Sequence, residues 1–103
     1  MNQAFLTLLG FAQKAGKLVA GEDTVHLALK KRKVKLLIVA GDASNNTKDR
    51  ATQWKASFGI ELLETLDKET LSQAIGKSNR ALIGVTDQGF AAQLLKAAEK
   101  TGE

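Results

Sequence analysis

Hydrophobic residues follow two alternating spacings along this chain. In five segments they recur every three to four positions, which places them on one face of a helix. Between these segments lie four short apolar runs, at 18–20, 36–40, 60–63 and 81–85, whose length is typical of strands. The pattern therefore predicts five helices and four strands that alternate along the sequence.

Turn and capping residues mark where the predicted helices begin and end. Glycine favours the left-handed conformation that ends a helix, and Gly16, Gly59 and Gly76 follow three of the helical segments. The expected starts of the second, third and fourth helices share a side-chain oxygen that can accept a backbone N–H: Asp23 or Thr24, Ser44 or Asn45, and Asp67. The last helix is predicted to open at Gln88 or Gly89.

Strands separated by helices of this length need crossover connections, which place helices on both faces of a sheet. We therefore predict an α/β fold, a three-layer α/β/α sandwich with a four-stranded mixed sheet and about five helices. The chain has 103 residues, of which 44% are hydrophobic and 25% charged, and is interpreted as one domain spanning residues 1–103.

Two aromatic side chains have a structural and a functional interpretation. Helical spacing places Ala51, Trp54 and Phe58 on one inward face, so Trp54 is expected in the core rather than as a platform for stacking bases. His26 lies between apolar positions of the second helix. We expect it to be a surface residue, with a phosphate contact as the alternative.

The composition excludes several classes of function. The chain has no cysteine and one histidine, too few ligands for a zinc site and no material for a disulfide or a cysteine nucleophile. Its longest apolar runs have about five residues, against the ~20 that span a bilayer, and its N-terminus lacks the basic start of a secretory signal. We expect a cytoplasmic monomer with no cofactor and no membrane partner.

Positive charge is concentrated between Lys14 and Lys35. Seven of the fifteen basic residues lie there against only Glu22 and Asp23, a local balance of +5, whereas the remainder from Leu36 is nearly balanced. Such a concentration indicates a polyanion partner, with nucleic acid first and an anionic membrane second. A solvated, lysine-rich helix end is the alternative.

Two further functions remain open at this stage. Asp42 and Asp87 each follow a predicted strand, where α/β enzymes keep catalytic carboxylates, so a metal-dependent phosphoryl-transfer enzyme is conceivable. Turn or capping roles would also explain both carboxylates. A protein-interaction module, in which the basic segment docks an acidic partner, is the third possibility.

Several segments resemble a known family in order and spacing. They are Leu18-Val-Ala-Gly21-Glu-Asp, the run from Leu36 through Asp42-Ala-Ser-Asn-Asn-Thr-Lys48, Ala74-Ile-Gly-Lys-Ser-Asn-Arg80, and Val85-Thr-Asp-Gln-Gly-Phe90. Together they resemble a bacterial ribosomal-protein-like member of the L-seven-Ae/L-thirty-e superfamily. The resemblance implies a sheet of four strands between helices, no enzymatic activity, and binding of kink-turn or ribosome-associated RNA.

The resemblance also implies two RNA-binding loops. In the family, a Gly-x-Asn-x-x-x-Lys motif at the start of the second helix meets the sheared G·A pairs of kinked RNA, and a loop before strand four supports the extruded nucleotide. The first site corresponds to Gly21, Glu22, Asp23 and Leu27, and the second to Gly76, Lys77, Ser78, Asn79 and Arg80. Gly21 would permit close approach of the RNA, so a bulky residue there is expected to block binding while leaving the fold intact.

Two residues depart from the family motif. Asp23 stands where Asn is typical, and a carboxylate accepts from guanine N–H groups but cannot donate and repels phosphate. Leu27 replaces the motif lysine and removes a cation. We expect Lys17 and Lys30 to supply part of the missing charge and Lys31 to contact the RNA as well. We also expect either a weakened affinity for a standard kink-turn or a changed RNA preference.

Overall fold

The computed structural model describes residues 3–99, and the predicted elements occur there in the predicted order. The helices are α1 (Gln3–Lys14), α2 (Glu22–Lys30), α3 (Asn45–Phe58), α4 (Lys68–Ala74) and α5 (Gln88–Glu99). The strands are β1 (Leu18–Ala20), β2 (Leu36–Val39), β3 (Glu61–Glu64) and β4 (Leu82–Val85).

The strands form one mixed sheet in the order β1-β4-β2-β3. β4 is antiparallel to both of its neighbours, whereas β2 and β3 are parallel. Leu36 is paired with Val85, and Val39 with Leu82, so the whole length of β2 lies against β4. The predicted four-stranded mixed sheet is confirmed.

Helices cover both faces of this sheet. α1, α4 and α5 pack on one face, and α2 and α3 pack on the other. Alternate side chains of β2 serve the two cores, with Leu36 and Ile38 facing the first layer and Leu37 and Val39 facing the second. All four are buried. The three-layer sandwich is therefore confirmed, and none of the helices within residues 3–99 is long and apolar enough to cross a membrane.

Local capping signals predicted several helix boundaries correctly. The Ser44 hydroxyl accepts the Thr47 N–H at 3.2 Å, and the Asp67 carboxylate accepts the Thr70 N–H at 3.1 Å, at the starts of α3 and α4. Gly59 follows α3 in the left-handed conformation, at φ 63°. These interactions join residues that are close in sequence, which is why the sequence alone could indicate them.

The predicted strand limits are off by one residue at the end of β2, at both ends of β3 and at the start of β4, and the start of α2 also differs from the prediction. Two of these differences have a cause in the backbone. Neither Asp23 nor Thr24 caps α2, because the helix already begins at Glu22, and Gly21 precedes it at φ 93° and ψ 149° without a side-chain cap. β3 begins at Glu61 rather than at position 60, because its pairing with β2 sets its limits. In both cases the neighbouring backbone decides the boundary, not the side-chain pattern.

The strand directions give the sheet two distinct ends. At the loop end, β1 finishes at Ala20, just before Gly21, and β4 starts after Ala81. At the basic end, the Lys17 carbonyl accepts the Thr86 N–H at 2.8 Å, and Lys35 immediately precedes β2. Functional residues must be assigned to one of these ends before they can be combined in a site.

Candidate functional site

The two loops assigned by the resemblance meet at the loop end of the sheet. The Gly21 N–H donates to the Leu82 carbonyl at 2.9 Å and so fixes the first loop against the start of β4. A methyl group built on Gly21 would lie 3.9 Å from both Cδ and Nε of Arg80, the last residue of the second loop. The fold thus brings together two loops that α2, α3 and α4 separate in sequence.

A groove of about 260 Å³ opens between these loops and the segment that follows β2. It is lined by backbone and mostly polar side chains from several loops: Gly21, Glu22, Asp42, Ala43, Ser44, Thr47, Lys68, Asn79, Ala81 and Leu82. Such a lining presents hydrogen-bond donors and acceptors at close spacing. The groove can therefore recognise a polar ligand by its edges rather than enclose an apolar one.

A buried serine holds the second loop in place. The Ser72 hydroxyl accepts the Arg80 N–H at 2.8 Å and donates to the Arg80 carbonyl at 3.1 Å, so it ties α4 to the last residue of the loop. The Arg80 guanidinium donates to the Ser78 carbonyl at 2.7 Å, and Asn79 adopts the left-handed conformation at φ 56°. The loop is thus fixed by its own hydrogen bonds, and Asn79 is exposed at its tip.

Glu22 is occupied by a contact between two helices. The Thr47 hydroxyl donates to Oε2 of Glu22 at 2.8 Å, and the Arg50 guanidinium pairs with Oε1. Both carboxylate oxygens therefore link the start of α2 to α3. The structure places Glu22 at the predicted site, where its side chain positions the two helices that border the groove.

The exposed face of α2 leads away from the groove. Asp23 and Leu27 are both exposed and lie one turn apart, and Leu27 is 52% exposed. Lys30 and Lys31 continue the same exposed face one turn further on. The two departures from the family motif therefore point to solvent beside the groove and have no packing role that would explain them.

Three predicted cations lie at the other end of the sheet. Lys17 precedes β1, and Lys30 and Lys31 end α2, whereas Gly21 lies between these elements at the loop end. Eight residues of helix separate Glu22 from Lys30, a rise of about 12 Å. Lys17 and Lys30 therefore lie away from the Gly21 loop, because α2 carries the chain from one end of the sheet to the other, and their part in RNA binding stays a prediction.

The two carboxylates of the enzyme hypothesis are also at opposite ends. Asp42 follows β2 and Asp87 follows β4, and these strands are antiparallel. Asp42 accepts the Lys68 N–H at 2.8 Å, and Asp87 accepts the Phe90 N–H at 2.9 Å at the start of α5. They hold backbone N–H groups and cannot share a metal ion. No cluster of three or more potential metal ligands occurs within residues 3–99.

The pKa of Asp67, whose carboxylate caps α4, is shifted. The Thr70 hydroxyl donates to it at 2.6 Å, and this bond together with the Thr70 N–H lowers the pKa of Asp67 below its ordinary value. Both bonds favour the charged form of the carboxylate. Asp67 thus supports the start of α4 beside the groove as an anion.

The aromatic residues of α2 and α3 stack on the outside of the second helix layer. The rings of His26 and Trp54 lie 4.8 Å apart at an interplanar angle of 17°. Trp54 is half-buried against the core, so its assignment as a fully inward residue is corrected. The stacked His26 ring covers one face of the Trp54 ring.

Sequence reasoning missed the residues that hold the groove together, namely Ser72, Thr47 and Arg50. Ser72 is a small polar residue within the apolar pattern of α4, and its partner Arg80 lies beyond the end of that helix. Thr47 and Arg50 lie 25 and 28 positions from Glu22. No local spacing signals a contact of that range.

Comparison with known proteins identifies the family. The sequence profile described as "Ribosomal protein L7Ae/L30e/S12e/Gadd45 family" matches residues 3–95. The chain belongs to this family. Two relatives share the name RNA-binding protein YlxQ: one from Enterococcus faecium is 34% identical over 87% of this chain and 86% of its own length, and one from Bacillus subtilis (strain 168) is 36% identical over 85% and 88%.

Solved structures share the fold of this chain. A protein of unknown function from Bacillus halodurans C is 33% identical, with a TM-score of 0.90, over 96% of this chain and 99% of that one. The 15.5kD RNA binding protein of Giardia lamblia shares the fold, with a TM-score of 0.74 at 14% identity over 99% of this chain and 91% of that one. The predicted resemblance is confirmed, and the family and the named relatives support a non-enzymatic protein.

Proposed function

We propose that this protein binds structured RNA through the groove at the loop end of the sheet, and that a kink-turn is the preferred element. The family and the named relatives support RNA as the partner. The closeness of the Arg80 side chain to Gly21 supports the assignment to this groove, because it brings together the two loops to which the resemblance assigns RNA binding. The protein acts in the cytoplasm as part of a ribonucleoprotein.

The first loop offers backbone groups to the RNA. No side chain caps α2, so the N–H groups of its first turn, which have no acceptor within the helix, remain directed at the loop end. A helix N-terminus attracts phosphate and base acceptors. Gly21 carries no side chain, so the RNA backbone can approach these donors closely.

The second loop supplies a cation and an amide. Arg80 is half-buried with its guanidinium beside Gly21, where it can reach a base edge or a phosphate without a large loss of side-chain freedom. Asn79 lines the groove and can donate and accept simultaneously. Asp23 opposes this arrangement at the rim, since its exposed carboxylate repels phosphate.

The two departures from the motif provide the test. Leu27→Lys places a cation on the exposed face one turn beyond Asp23, and Asp23→Asn restores an amide donor. Each variant is titrated against a kink-turn duplex and against a control duplex in which Watson-Crick pairs replace the sheared pairs. A well-placed charged donor contributes about 1.5 to 3 kcal/mol, so Leu27→Lys should strengthen kink-turn binding about tenfold or more.

Loss-of-function variants complete the experiment. Arg80→Gln should weaken kink-turn binding, whereas Lys96→Gln removes the same charge from an exposed position on α5, which packs on the other face of the sheet. If the wild type binds both duplexes equally and Arg80→Gln behaves like Lys96→Gln, the groove is not the site that reads the RNA.

A further inference from the structure

The turn between α2 and β2 carries a dense group of unpaired cations. Lys30, Lys31, Arg32, Lys33 and Lys35 are all exposed, and the residue between the last two, Val34, is buried and anchors the turn. The ion pairs found within residues 3–99 join Lys48 to Glu64 and Arg50 to Glu22, so none of the five is neutralised by a carboxylate. We name this group the basic turn.

The backbone of the basic turn is held in an unfavourable conformation. The Lys33 N–H donates to the Ala28 carbonyl at 3.0 Å and the Arg32 N–H to the Leu29 carbonyl at 2.9 Å, the paired bonds of a Schellman motif. Arg32 occupies its left-handed position at φ 60°. A non-glycine residue there costs roughly 1 to 2 kcal/mol of conformational free energy.

Two other helices of this chain end with the same motif but have glycine at its left-handed position. Gly16 and Gly76 occupy the left-handed positions after α1 and α4, where backbone bonds of the same pattern close the helix. At the end of α2 an arginine stands in the place of glycine, with its guanidinium 5.8 Å from the centre of the Phe58 ring. The chain thus keeps a fixed cation where glycine would suit the backbone better.

The surroundings of the basic turn extend the charged surface. Lys17 and Lys35 precede β1 and β2, which are separated in the sheet only by β4, so their backbones lie about 10 Å apart. A cleft of about 360 Å³ beside the turn is lined in part by Arg32, Lys35 and Glu61. Within residues 3–99, Glu61 is the one acidic residue that lines this cleft, against two basic ones.

We propose that the basic turn is a second RNA-binding surface, which contacts the phosphate backbone of a duplex segment without reading its sequence. It lies at the opposite end of the sheet from the groove, so one protein molecule joins two RNA segments. Charge complementarity identifies the partner, since several exposed cations spaced along one turn and one sheet end match a row of phosphates. The contact stands independently of the groove, and only the joining of two segments rests on the proposed function.

A salt titration with a plain duplex tests the contact. The probe is an uninterrupted Watson-Crick RNA duplex, and the variant is the double substitution Lys33→Ala and Lys35→Ala, with Lys33→Arg and Lys35→Arg as the control that keeps the charge. Loss of two phosphate contacts should flatten the slope of log affinity against log salt by about 1 to 2 units. When salt is raised from 50 to 200 mM, the fold-loss of affinity should therefore be about 4 to 16 times smaller in the alanine variant than in the wild type.

Energy transfer between two labelled RNAs tests the joining. A donor-labelled kink-turn RNA and an acceptor-labelled plain duplex should approach each other in the presence of the wild type and the arginine control, but not with the alanine variant, which should still bind the kink-turn RNA. Three results would overturn the proposal. They are an unchanged salt slope in the alanine variant, displacement of the kink-turn RNA by plain duplex, and stronger binding to anionic vesicles than to duplex. If the wild type does not prefer the kink-turn, the proposed function fails while the plain-duplex titration still decides on the basic turn.

Discussion

Replacing Gly21 by alanine should destabilise the fold through the backbone alone. Gly21 has φ 93° and ψ 149°, a region that side-chain-bearing residues enter at a cost of about 1 to 3 kcal/mol. Apart from the residues next to it in the chain, the added methyl group would meet no atom closer than 3.9 Å, so overlap with the rest of the fold contributes nothing. We therefore expect Gly21→Ala to lower the free energy of unfolding by about 2 kcal/mol.

Gly59→Ala is the matched control. Gly59 lies in the left-handed helical region at φ 63° and ψ 42°, and a methyl group there would meet nothing within 4 Å. Its backbone cost is about 1 to 2 kcal/mol, against about 1 to 3 kcal/mol in the region of Gly21, and the reduced freedom of the unfolded chain offsets both variants to the same extent. Gly59→Ala should thus cost clearly less than Gly21→Ala.

Thermal unfolding followed by circular dichroism measures the difference. In a chain of this size 1 kcal/mol shifts Tm by about 4 to 8 °C, so Gly21→Ala should unfold roughly 8 to 16 °C below the wild type. Equal Tm values for the two variants would refute the reasoning. The same backbone strain applies to a bulky residue at Gly21, so a variant made to block RNA binding there should also lower the free energy of unfolding by a similar amount.

Two further predictions concern the neighbourhood of the groove. Trp54→Ala should lower the free energy of unfolding in urea by about 2 kcal/mol, less than the ~3 to 5 kcal/mol expected for a fully buried tryptophan. A double-mutant cycle with His26→Ala should give a coupling energy of about 0.5 to 1.5 kcal/mol. A coupling energy of zero would contradict the stacking of the two rings. Asp67 has a pKa lowered below 3.8 by its bonds from Thr70, so its contribution to stability is present above that pH and is lost as the pH falls through its folded-state pKa. Asp67→Asn should make unfolding less dependent on pH below about 4, and an unchanged pH profile would argue against it.

Elements set by neighbouring residues could be predicted from the sequence. Apolar spacing predicted the alternation of helices and strands, and Ser44 and Asp67 marked helix starts because each binds an N–H three residues ahead. The start of α2 was predicted wrongly, because a glycine conformation replaces a side-chain cap there. Trp54 was misjudged because helical periodicity gives the direction of a side chain but not how much of it a neighbouring helix covers.

The arrangement of the site depended on information that local patterns lack. The sequence and its resemblance named Gly21 and Arg80, but their contact arises from pairing between β1 and β4. The separation of Lys17, Lys30 and Lys31 from the groove, and of Asp42 from Asp87, follows from strand direction. Strand direction depends on which strands pair, and no residue spacing along the chain reports it.

The position of β4 has a consequence for protein synthesis. β4 is the last strand to be translated, yet it lies between β1 and β2 and supplies the Leu82 carbonyl that fixes Gly21. A chain that is still growing on the ribosome has no partner for β1 until residues 82–85 have emerged. Pairing over such a sequence separation folds slowly and late. The groove consequently forms only after β4 has emerged, so a nascent chain that stops short of residues 82–85 lacks the surface at which we propose that RNA binds.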